Sequence, residues 1–106
     1  ADAVGIDTKT PQVVRDFQLN QNYPNPFNPT TSFSYVIPQT ADVILAIYNI
    51  RGELVRTLES GNQTAGRHEA SWNGLNDAGQ LVSSGIYVYS LISESQTVSK
   101  QMLFLK

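Results

Sequence analysis

The 106 residues include no cysteine and only one histidine, one tryptophan and one methionine. Without cysteine there is no disulfide and no thiolate metal site, while the compartment stays open. Seven Lys and Arg stand against nine Asp and Glu, a net charge of −2, so no basic field exists to draw nucleic acid or anionic lipid. No apolar run approaches the roughly 20 residues of a membrane-crossing helix, and the start Ala1-Asp-Ala-Val-Gly5 lacks a basic segment followed by an apolar one. With no initiator methionine the chain reads as a piece of a larger protein, so the missing leader carries no message about export.

Catalytic groups are equally scarce. The lone His68 has Ser71 three residues away, a spacing that points to opposite faces of a strand, and no orienting third group is indicated. Glu53, Glu59, Glu69 and Glu94 fall at turns or strand ends, as solvated carboxylates do. The loop Asn73-Gly-Leu-Asn-Asp-Ala-Gly79 offers oxygens but a single carboxylate, and it lacks the bidentate Glu that closes a calcium loop. Turn chemistry accounts for it. The expectation is a protein without enzymatic activity, cofactor or metal.

What the chain does have is Tyr23-Pro24-Asn25-Pro26-Phe27-Asn28-Pro29. Each proline fixes its own φ and pushes the preceding residue toward extended conformations, which predicts a stiff extended rod. Positions 24, 26 and 29 have no N–H to donate, so the rod belongs at a sheet edge or between layers. With about three residues per turn, Asn25 and Asn28 share a side and serve nearby backbone, while Tyr23 and Phe27 pack inward.

Residues 1–16 have neither strand nor helix periodicity and suit a linker from a preceding domain. From residue 17 the chain reads as strands over 17–21, 32–37, 43–50, 54–58, 67–72, 86–93 and 97–105, rich in Val, Ile, Tyr and Phe. Turn residues separate them: Asn49-Ile-Arg-Gly52 and Asn76-Asp-Ala-Gly79 each supply a glycine for a positive φ. About seven short strands with turns every 8 to 12 residues predict an all-β antiparallel sandwich. Ninety residues of this kind bury about two-thirds of their unfolded surface, enough for one core. Alternation assigns that core to Phe33, Tyr35, Leu45, Ile47, Leu54, Leu58, Trp72, Val88, Met102 and Phe104.

The wording of several stretches is more specific than their physics. Phe17-Gln-Leu-Asn-Gln-Asn-Tyr-Pro-Asn-Pro-Phe-Asn-Pro-Thr-Thr31 resembles the opening of C-terminal sorting domains of the bacterial type IX secretion system. The same opening occurs in the related immunoglobulin-like domains of the flagellar hook-capping type. Ile44-Leu-Ala-Ile-Tyr-Asn-Ile-Arg-Gly-Glu-Leu-Val55, Trp72-Asn-Gly74, Ser84-Gly-Ile-Tyr87 and Lys100-Gln-Met-Leu-Phe-Leu-Lys106 extend the likeness over 17–106. It implies an immunoglobulin-like module, monomeric, that directs a secreted parent protein to the cell surface. The implied partners are outer-membrane secretion machinery and a preceding catalytic or adhesin domain. The implied sorting features are Gly85, Tyr87, Lys100, Met102 and Lys106, with the proline-rich opening as a structural motif and Thr97 to Lys106 as an exposed edge for strand addition. Tyr23, Trp72, Tyr87 and Tyr89 leave open a carbohydrate-binding platform, and a purely structural spacer is the third reading.

Overall fold

The computed structural model describes residues 16–106; the expected linker lies outside them except for Asp16. Among the described residues seven strands form: β1 (Gln18–Leu19), β2 (Thr31–Ile37), β3 (Ala41–Tyr48), β4 (Leu54–Gln63), β5 (Gly66–Trp72), β6 (Gly85–Ile92) and β7 (Thr97–Phe104). No helix occurs among the described residues. All strand pairs are antiparallel, in a three-stranded sheet ordered β1-β2-β5 and a four-stranded sheet ordered β4-β3-β6-β7. The two sheets close on a shared core, the immunoglobulin-like sandwich that the spacing of strands and turns predicts.

The core is built by alternation. Phe33, Tyr35 and Ile37 enter from β2, Val43, Leu45 and Ile47 from β3, Tyr87, Tyr89 and Leu91 from β6, and Met102 and Phe104 from β7. Trp72, at the end of β5, is fully buried, and its indole N–H donates to the Leu75 carbonyl at 2.8 Å, so its polar group is satisfied.

Two expected core positions lie elsewhere. Leu54 is 54% exposed. The β3–β4 register shifts between Leu45 and Ala46 and again between Ile47 and Tyr48, where β4 carries one extra residue each time. Each bulge reverses which face later residues occupy, so Val55 packs on the core in place of Leu54, and Leu58 reaches it only partly. Val88 faces outward because Tyr87 and Tyr89 occupy the inner face of β6. Their hydroxyls decide the matter: Tyr87 donates to Ser83 O at 2.7 Å and Tyr89 to Asn20 O at 2.8 Å, so both rings are buried without stranding a polar atom.

The turns follow the expected chemistry twice over. In Asn49–Glu53 and again in Asn76–Gln80, the asparagine Oδ1 accepts from two later backbone N–H groups, and a glycine at φ 85° (Gly52) or 83° (Gly79) completes the loop. Gly74 is different in kind. Its φ is 81°, and a Cβ there would sit 2.9 Å from the ring of Phe104.

These two glycines separate backbone strain from crowding. Gly79→Ala, with open space around it, should cost about 1–2 kcal/mol for a left-handed alanine. Gly74→Ala should cost about 1–3 kcal/mol more because the Phe104 ring must move. Urea unfolding of both variants measures the difference, and equal losses would show that the ring yields freely.

Candidate functional site

The proline-rich opening joins the two sheets along their shared edge. Asn20 N–H donates to Ser34 O, and Tyr23 exchanges backbone hydrogen bonds with Ser32, both on the three-stranded sheet. Four residues later Phe27 N–H donates to Leu103 O and Phe27 O accepts from Leu105 N–H, a parallel bridge to the end of β7 in the other sheet. The placement at an edge is as expected, but the shape is not a rod: the chain bends at 24–26 and again at 28–29. Same-side spacing is lost with the bends. Phe27 is buried against Trp72 and Phe104, with ring centroids 5.7 and 4.9 Å away, whereas Tyr23 turns outward and is 81% exposed. Asn25 Oδ1 accepts from Leu103 N–H at 3.0 Å, while Asn28 lies exposed on the far side of the bend.

A buried residue absent from the sequence reading organises this segment. Asn22 donates to Pro24 O and to Thr31 Oγ1, both at 3.0 Å, and accepts from Gln21 Nε2 at 2.7 Å. Its backbone N–H donates to Tyr89 Oη at 2.9 Å, and that hydroxyl donates onward to Asn20 O. Burial pushes the Tyr89 phenol up to about 12, against a smaller downward pull from the Asn22 N–H. Asn22 is one of four asparagines between residues 20 and 28, and nothing in its own residue type announces burial.

The predicted sorting residues do not converge on one spot. Tyr87 and Met102 are buried in the core, Trp72 meeting Tyr87 edge-on at 5.4 Å. Gly85 opens β6 opposite Phe104 with φ 155°. Lys106 is exposed beyond β7, its backbone N–H donating to Ser84 Oγ at 2.8 Å. Lys100 is half-buried and lines a groove of about 450 Å³ together with Gln21, Asn25 and Gln101. Gly85, Tyr87 and Met102 therefore shape the body, and Lys100 and Lys106 meet solvent.

The expected open edge is half closed. β7 is the outer strand of its sheet, but Gln21 Nε2 caps Gln101 O at 2.8 Å, and Asn25 and Phe27 take the outward groups of Leu103 and Leu105. The large apolar side chains left exposed are polarised instead. Tyr23, Ile50, Leu54, Leu81, Ile86 and Leu105 all belong to the end of the sandwich that holds the 49–53 hairpin, the 73–84 loop and the end of β7, and among the described residues only Ile44 lies apart. The first described residue is at the opposite end, where Phe17 N–H donates to Gln96 Oε1 beside the β6–β7 turn.

The other candidates are absorbed by structure. His68 stacks on Tyr35 and its Nε2 lies 2.7 Å from Thr64 O, while Ser71 is exposed three residues away. In the 73–79 loop, Asn73 and Asn76 use their Oδ1 atoms on backbone N–H groups of the loop, and Asp77 Oδ1 accepts from Thr57 N–H. Of the four rings considered as a sugar platform, Trp72, Tyr87 and Tyr89 are buried, which leaves Tyr23 alone at the surface.

Asn25→Ala should lower stability by about 0.5–1.5 kcal/mol and speed hydrogen exchange at Leu103 without affecting Met102, whose amide lies on the β6 side. Tyr89 gives a pH signature. With the folded phenol near 12 and the unfolded one near 10, stability is intact below pH 10 and falls as pH rises from 10 toward 12. The urea midpoint of the parent chain should drop across that window, and Tyr89→Phe should flatten the slope while lowering the plateau.

A model of the FlgD Ig-like domain matches residues 20–97. The basal-body rod modification proteins FlgD of Salmonella typhimurium and Salmonella typhi are each 34% identical over 79 residues, covering 71% of this chain and 34% of theirs. The chain thus spans about a third of the curated relatives it matches. Among solved structures, dimeric latent PorU from Porphyromonas gingivalis has a TM-score of 0.66 at 19% identity, over 87% of this chain and 10% of its own. FlgD from P. aeruginosa has a TM-score of 0.58 at 21% identity, over 86% of this chain and 67% of its own. PorZ of Porphyromonas gingivalis, an essential bacterial surface component of the type IX secretion system, has a TM-score of 0.52 at 17% identity, over 81% and 11%. With most of its length matched by the family model and the sandwich shared, the chain belongs to the FlgD Ig-like domain family.

Proposed function

We propose that this chain is a non-catalytic module that directs a secreted parent protein through the type IX secretion system to the cell surface. The observation that carries the reading is the polarity of the sandwich. The chain arrives at one end, and the exposed apolar side chains Ile50, Leu54, Leu81, Ile86 and Leu105 gather with Lys106 at the other. Apolar residues clustered at a surface mark a contact with another molecule. The opening and terminal motifs supply the direction of the proposal, and the likeness to PorU and PorZ, in which the matched part is about a tenth of a large chain, supports it. In this reading the half-buried Gly85 and the buried Tyr87 and Met102 act through the shape of the body, whereas Lys106 and Leu105 meet the machinery directly.

A second reading has its own support. The curated relatives are flagellar, and 34% identity over 79 residues favours an assembly domain of a hook-capping protein. The two readings part in one experiment. The chain fused to the C-terminus of a periplasmic reporter, in a bacterium that carries the type IX system, should bring the reporter to the surface or the medium. Removing Leu105 and Lys106 together with Ile50→Ser should leave it in the periplasm, with thermal melts confirming that the variant stays folded. Retention of the intact fusion in the periplasm would refute the sorting role.

A further inference from the structure

The outer faces of the two sheets differ. On the three-stranded sheet that face carries Ser32, Ser34, Arg67, Glu69 and Ser71, an ordinary solvated surface. On the four-stranded sheet the inner face takes Val43, Leu45 and Ile47 of β3 and Tyr87, Tyr89 and Leu91 of β6, so alternation turns the residues between them outward. The register sets Ile44 beside Ile92, Tyr48 beside Val88 and Leu54, and Ile86 beside Leu103. Ile44, Leu54 and Ile86 are 40%, 54% and 48% exposed. Ala46 and Ser90, paired between the rows of Ile44 and Tyr48, leave a shallow trough across the strands. None of these residues is charged, and charge enters at the two ends of the face. At the end near the β6–β7 turn, Asp42 and Glu94 line a hollow of about 490 Å³ together with Ile44 and Ile92. At the other end the 49–53 hairpin holds up the exposed Ile50 and Arg51, while its Glu53 is engaged by Asn49 Nδ2 at 2.8 Å.

We propose that this face binds a second copy of the chain, turned end for end about a two-fold axis that lies in the face and runs across the strands. Such an axis lays β3 over β3 and the hairpin of each copy over the hollow of the other. Ile50 then meets Ile44 and Ile92, and Arg51 meets Asp42 and Glu94, each contact made twice by symmetry. A two-fold axis along the strands would bring the Asp42 and Glu94 ends of both copies together, acid against acid, so charge selects the first arrangement. Size agrees with a weak dimer. Four strands at ~4.8 Å spacing and seven residues at ~3.4 Å give about 450 Å² per copy, and the seated hairpins bring the pair to about the 1,000 Å² of a specific contact. The result is a dimer where the resemblance implies a monomer. The proposal stands apart from the sorting reading, whose contact shares Ile50, Leu54 and Ile86 with this surface, and its test needs no secretion machinery.

Sedimentation equilibrium of the full chain between about 10 μM and about 1 mM should show monomers giving way to dimers, as for a contact at the small end of the specific range. Over the same range the amide signals of Ile44, Ala46, Val88 and Ser90 should move, and those of Ser32, Ser34 and Glu69 should stay in place. Asp42→Arg and Arg51→Asp should each weaken association about tenfold, because either reversal sets like charges together at both symmetric contacts. Thermal melts check that both variants stay folded. An equimolar mixture of the two variants should associate as tightly as the parent chain, since in the mixed pair opposite charges face each other again; a folding defect would not be repaired by mixing. The proposal is overturned if the parent chain stays monomeric at about 1 mM, which leaves the face to a different protein, if the signals of the three-stranded sheet move instead, or if the mixture associates no better than its components.

Discussion

The structure depends on where Phe27 is held. Its ring fills the space between Trp72 and Phe104, and its N–H and C=O both close on β7. A residue that joins the core with its side chain and the sheet edge with its backbone fastens one layer to the other. The flanking prolines make this possible by what they lack. Pro24, Pro26 and Pro29 present no N–H that an edge crossing would leave buried and unpaired. The remaining polar groups of the crossing are met by Asn22, Thr31 and Tyr89, each of which serves at least two partners.

Most of the fold was legible in the sequence because antiparallel sandwiches write themselves as alternation and turns. All seven described strands overlap the stretches expected for them, although β1 and β5 hold no Val, Ile, Tyr or Phe, and the two Asn-x-x-Gly turns form as their residue types dictate. The errors have one physical origin, that alternation gives two faces without saying which is inner. In β4 the bulges exchange the faces partway along, which sends Leu54 out and Val55 in. In β6 both faces are apolar, and the choice rests on hydroxyl partners at Ser83 and Asn20 that are remote in sequence.

The candidate site was legible by motif and less so by geometry. The resemblance marked Lys100 and Lys106, which do meet solvent, but it marked Tyr87 and Met102 equally, and these are core. The terminal strand was expected to be open along its length. Half of it is covered by a segment about eighty residues earlier, a contact that no local pattern announces. The polarised end could not be read from any one stretch either, since Tyr23, Ile50, Leu81 and Leu105 come to the same end only when the chain has folded.

The opposition of the two ends has a mechanical consequence. Asp16 and Phe17 stand at the pole near Gln96, while the exposed apolar side chains lie at the far one. A molecule held at one pole therefore casts no steric shadow over the other.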